Sequence, residues 1–72
     1  MNAEHHYEVV IYWSDPDGAF IATVPDLPGC AAEGATHAAA LGNVQHIITA
    51  WLQTARELGR EIPRPREHVQ PA

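Results

Sequence analysis

Seventy-two residues make one domain at most, and a chain of this size buries only about 60% of the surface its unfolded form exposes, so self-association is expected. Hydrophobic residues at 46% and charged ones at 18% exclude the low-hydrophobicity, high-charge class of disordered chains. A formal charge of -5, with Arg60, Arg64 and Arg66 crowded into the C-terminal tail, leaves no clustered cations for a phosphate backbone, and no apolar run reaches the roughly 20 residues that span a bilayer.

The first six residues, Met1 to His6, lack the basic and apolar regions of a signal peptide, so they read as a flexible lead and a cytoplasmic location is expected. Tyr7 to Trp13 alternates in a β-branched and aromatic run, with Tyr7, Val9, Ile11 and Trp13 on one side and Glu8, Val10 and Tyr12 on the other; this is the first strand. Ser14-Asp15-Pro16-Asp17-Gly18 places Pro at the second position of a type I turn and Gly at its close, and Ala19 to Val24 alternates again to complete a hairpin. Pro25-Asp26-Leu27-Pro28-Gly29 is a rigid corner, because two prolines fix φ and Gly29 is free to take a positive φ. A short third strand of small residues, Cys30 to Glu33, follows and ends at Gly34.

Thr36 is the expected N-cap of a helix of roughly six turns, although Ala39 stands where a capping box would carry Glu. Leu41, Val44, Ile48, Leu52 and Ala55 recur at helical spacing and form the core row, and Gly59 stands at the left-handed stop. A second apolar row of Ala40, Ile47, Trp51 and Leu58 makes the greasy surface wider than one small sheet covers, and the surplus is read as a subunit contact. Ile62-Pro63-Arg64-Pro65 cannot be helical and leads toward a short final strand around Glu67 to Val69. The expected architecture is a single α+β domain over residues 1–72, a three-stranded antiparallel sheet on one long helix, with its ordered core at about 7–65 and flexible ends.

No reactive constellation stands out: there is no nucleophile–base pair, phosphate-cradling loop or obvious carboxylate pair, and catalytic, cofactor and metal residues are not expected. Asp15, Asp17 and Asp26 fall in turns, where Asp bonds its own backbone, and they are the candidate acidic residues facing a partner. His5 and His6 are adjacent, but His37 and His46 lie nine residues apart on opposite sides of the helix and cannot share a metal. A single cysteine, Cys30, excludes an internal disulfide and reads as a small buried strand residue. Trp13, Ile47, Trp51 and Leu58 are the candidate partner or oligomer contacts, tryptophan being the residue that most often dominates interfaces.

The order of strand, Asp17-Gly18-Ala19-Phe20, strand, Pro25-Asp26-Leu27-Pro28-Gly29-Cys30, Gly34-Ala35-Thr36, then a helix holding Ala40-Leu41-x-Asn43 and ending Gly59-x-x-Ile62-Pro63-x-Pro65, resembles the N-terminal domain of HicB antitoxins over about Tyr7 to Pro65. That resemblance implies a reduced RNase H-like β-β-β-α-β unit without catalytic carboxylates, which binds and masks HicA, a small basic mRNA-cleaving toxin. Two departures stand beside it: His37-Ala38-Ala39-Ala40 replaces the acidic residues usual at the helix start, and a C-terminal DNA-binding domain is missing, so direct DNA binding is not expected. The leading expectation is a homo-oligomeric antitoxin module, dimer or tetramer, joined through its helix and its free sheet edge. The alternatives are a stand-alone oligomeric domain that binds a small ligand or another regulator, and a residual nuclease whose metal-dependent cleavage would be lost on Glu8→Gln or Asp17→Asn.

Overall fold

The computed structural model describes residues 6–65. The elements run β1 (Val10–Ser14), β2 (Ala19–Thr23), β3 (Ala31–Gly34) and α1 (His37–Glu57), an α+β fold as the alternation and helical spacing imply. The strands form one antiparallel sheet in the order β1-β2-β3, with Tyr12 opposite Ile21 and Ala22 opposite both Ile11 and Ala32. The expectations of a final strand at Glu67 to Val69 and of flexible ends fall mostly outside the described residues.

Pairing begins at Val10 rather than Tyr7. β2 has no ladder to offer beyond Thr23, because Val24 turns away to bond Cys30 and Pro25 carries no N–H. The corner after β2 is two consecutive turns, Leu27 N–H to Val24 O at 3.0 Å and Cys30 N–H to Leu27 O at 3.0 Å. Each has Pro in its second position, and Gly29 at φ 78° supplies the positive φ that the second turn requires. Leu27, wholly buried between the two, closes one end of the core.

Helix α1 begins where Thr36 Oγ1 accepts the N–H of Ala39 at 3.0 Å, and no acidic residue stands in its first turn, so the cap is half built as expected. It ends in a Schellman arrangement, Gly59 N–H to Arg56 O and Arg60 N–H to Ala55 O, with Gly59 at φ 69°. Its buried row is Ala40, Val44, Ile48, Leu52 and Ala55. Leu41, expected in that row, is exposed, and Ala40 takes its place. The cause is Gly34, which lies so close beneath the helix start that a Cβ there would sit 2.4 Å from the Ala40 backbone nitrogen; only small residues fit on both sides of that contact. Past the helix the chain returns to the sheet, where the Tyr7 hydroxyl donates to the Pro63 carbonyl and Ile62 packs on the core.

Candidate interaction surfaces

Strand alternation divides the sheet cleanly. Val9, Ile11, Phe20, Ala22, Val24, Cys30 and Ala32 point toward the helix and join the core, while Val10, Tyr12, Ile21, Thr23, Ala31 and Glu33 point away from it. Helix α1 covers one face only. A 21-residue helix is also about 31 Å long against roughly 17 Å for a five-residue strand, so its second half runs past the sheet and lies against the corner.

That overhang holds three of the candidate contacts. Ile47 and Trp51 line an open groove of about 250 Å³ together with Ala50, Thr54, Ala55 and Arg60. Leu58, just beyond it, is 61% exposed. Trp51 is half-buried and fastened inside the subunit, since its indole N–H donates to Pro28 O at 3.0 Å. It therefore serves the fold as well as the groove, whereas Ile47 and Leu58 are turned outward.

Trp13 lies at the other end of the molecule. Its ring meets Phe20 edge-on at 5.0 Å, Phe20 in turn lies 4.0 Å from the imidazole of His37, and the indole N–H donates to Asp15 Oδ1 at 2.6 Å. Half of Trp13 remains exposed because the helix begins level with Phe20 and does not reach over it. Asp15 and Asp17 share this end: Asp15 O accepts from Gly18 N–H and Asp17 Oδ2 from Ser14 Oγ, which is the turn chemistry their positions imply. Asp26 sits at the opposite end of β2, in the proline corner, so the three aspartates do not form one patch.

The two helix histidines stay apart as their spacing requires, with His37 against Phe20 and His46 exposed. Among the described residues no group of three His, Cys, Asp or Glu side chains could hold a metal ion, and no helix is long and apolar enough to cross a membrane. Cys30 is buried and free, and burial pushes its thiol up from the ordinary value, so it is a packing residue rather than a reactive one. The Tyr7 hydroxyl is likewise pushed up, first by burial and then by the charge of Asp26, with Arg56 opposing. At the sheet edge, Asn43 Nδ2 donates to Glu33 O at 2.8 Å and occupies an outward carbonyl of β3.

The candidate contacts thus fall into two groups at opposite ends, Trp13 with Asp15 and Asp17, and Ile47 with Trp51 and Leu58. Reading the sequence for wide helical rows missed the outer sheet face. Its signal was present in β1, where Val10 and Tyr12 occupy the side that a solvent-facing strand would fill with polar residues.

A family model described as the HicB-like antitoxin of bacterial toxin–antitoxin systems matches residues 7–70. UPF0150 protein Ta0767 of Thermoplasma acidophilum is 38% identical over 55 residues, covering 76% of this chain and 80% of that protein. UPF0150 protein ssl0259 of Synechocystis sp. is 34% identical over 58 residues, covering 81% and 78% respectively. No solved structure gives a significant match.

Proposed function

This chain belongs to the HicB-like antitoxin family of bacterial toxin–antitoxin systems, and from that premise we propose that it binds and masks a small basic HicA-type toxin without chemistry of its own. The observation that carries the reading is the distribution of charge. Every Lys or Arg lies at residue 56 or later, so the strands and the hairpin turn carry Asp15, Asp17 and Glu33 with no Lys or Arg in their own sequence, while Asp26 in the corner shares the surroundings of the Tyr7 hydroxyl with Arg56. A basic RNA-cleaving protein would be drawn to that half of the molecule, and the occluded toxin would lose its RNA.

The mechanism is steric and electrostatic. Asp15, Asp17 and Asp26 steer the encounter, Trp13 offers an aromatic contact at the hairpin end, and Ile47, Trp51 and Leu58 join copies of the chain into a homo-oligomer, dimer or tetramer. Supporting the last assignment is mixed charge in the sequence at this end of the helix: Arg60 lines the groove, and Glu57 and Glu61 flank it in the chain, so two copies meeting there bring both signs of charge together. Ile47→Ser and Leu58→Ser are expected to lower the oligomeric state in light scattering while the fold persists. The cytoplasm, where the mRNA substrate of such a toxin resides, is the proposed location.

Co-expression with a HicA-type toxin tests the reading. Restored growth and co-purification that weakens with salt are expected; growth arrest with no complex recovered would refute it.

A further inference from the structure

The outer face of the sheet plays no part in the packing of the described residues. Its centre is apolar: Val10 and Tyr12 on β1 are 41% and 50% exposed, flanked by Ile21 and Thr23 on β2 and Ala31 on β3. These are residue types that gain from being covered, and Tyr in particular brings a large contact area at small conformational cost. The strands and the hairpin turn that border it carry carboxylates and no Lys or Arg. Glu33 projects to this side by strand alternation, and the turn carrying Asp17, whose carboxylate accepts from the Ser14 hydroxyl, bounds one end.

Charge selects the occupant. A second copy stacked on this face would bring two sets of carboxylates together with no Lys or Arg from either sheet to offset them, and like charges so placed oppose association. A partner with an apolar centre and a basic rim matches both features. At roughly 17 Å along the strands the patch is the core of an interface, and the acidic border supplies part of the remaining area toward the roughly 800 Å² per partner that stable complexes bury.

We propose that Val10, Tyr12, Ile21 and Thr23 form the centre of the toxin-docking surface, bordered by Glu33 and by the turn carrying Asp17, and that the helix flank serves self-association instead. The assignment rests on the antitoxin reading and adds the face on which it operates. Docking here leaves the groove of Ile47 and Leu58 open, so toxin binding and oligomer formation are compatible and separately mutable.

The test is a titration of the full chain, isotopically labelled, with a purified HicA-type toxin, followed by amide NMR and by affinity at low and moderate salt. Expected are shifts concentrated at Val10, Tyr12, Ile21 and Thr23, binding at least tenfold weaker for Tyr12→Ala, and less than twofold change for Leu58→Ser. Glu33→Lys is expected to weaken binding several-fold at low salt, with the difference fading as salt rises. Folding of each variant is checked by its far-ultraviolet circular dichroism. Tight binding with shifts along Ile47 to Leu58 and no effect of Tyr12→Ala would overturn the docking face while leaving the antitoxin reading intact. Absence of binding by the wild-type chain would overturn both. Concentration-dependent shifts at Tyr12 in the chain alone would overturn the charge argument and give this face to a second copy.

Discussion

The inner face of the sheet is built from small residues at its closest point, Ala22 on β2, Ala32 and Gly34 on β3 and Cys30 just before β3, whereas the outer face carries Val10, Tyr12 and Ile21. The inner face keeps its larger residues, Ile11 and Phe20, on β1 and at the hairpin end of β2. The small inner residues let α1 approach until the backbone at Ala40 almost touches Gly34, so the core is thin and its packing depends on that distance. The larger outer residues add nothing to this packing, and the free energy of covering them, roughly 25 cal/mol per Å² of apolar surface, becomes available on association. The fold is therefore held from one side and presents a surface from the other.

The comparison breaks most visibly on the inner side. Leu52→Ala removes a wholly buried helix residue and is expected to cost about 2–5 kcal/mol in urea unfolding, enough to depopulate the native state of so small a domain. Gly34→Ala is expected to cost about 1–3 kcal/mol or more, since the new methyl would meet helix backbone that cannot swing aside as a side chain would. A thermal melt of Gly34→Ala indistinguishable from wild type would show that the close approach is not a constraint.

Alkaline pH probes the same side. The Tyr7 hydroxyl must keep its proton to donate to Pro63, and its pKa is raised above the ordinary 10.0 in the folded chain. The folded state thus holds the proton more tightly than the unfolded one. This contribution is fully present below about pH 10, and it is lost as pH rises through the higher folded value. Tyr7→Phe is expected to lower stability at neutral pH by about 1 kcal/mol, and to flatten the decline above pH 10, in denaturation curves across that range.

The smallest effect on folding is expected from the outer side. Tyr12→Ala should shift stability by no more than about 0.5 kcal/mol, because the residue is half exposed and packs beneath nothing. A loss as large as that of Gly34→Ala would erase the distinction between the two faces.

Much of this was legible in the residues. Two prolines and Gly29 implied the corner, Gly59 and Thr36 implied the helix ends, and helical spacing placed Val44, Ile48, Leu52 and Ala55 in the core. Leu41 is misplaced by helical spacing alone because that spacing knows nothing of the strand glycine pressed against the helix start; the choice between Ala40 and Leu41 is made by Gly34, a tertiary partner. The start of β1 was set too early, since Tyr7 and Val9 continue the alternation although β2 offers them no ladder. The groove residues Ile47 and Trp51 followed from the width of the apolar rows, but the bond from Trp51 to Pro28 did not, because it depends on how far the helix runs past the corner. The outer face escaped attention for a different reason: each of its residues is an ordinary strand former, and only the pairing of three strands brings them side by side.

Silencing of a toxin by covering it, the proposed role of this chain, has a direct readout in RNA. The most direct measurement is RNA cleavage by a purified HicA-type toxin as this chain is added in steps. Cleavage falling to zero near stoichiometric addition, with inhibition weakened at higher salt, is the predicted result; cleavage unchanged by an excess of folded chain would contradict it.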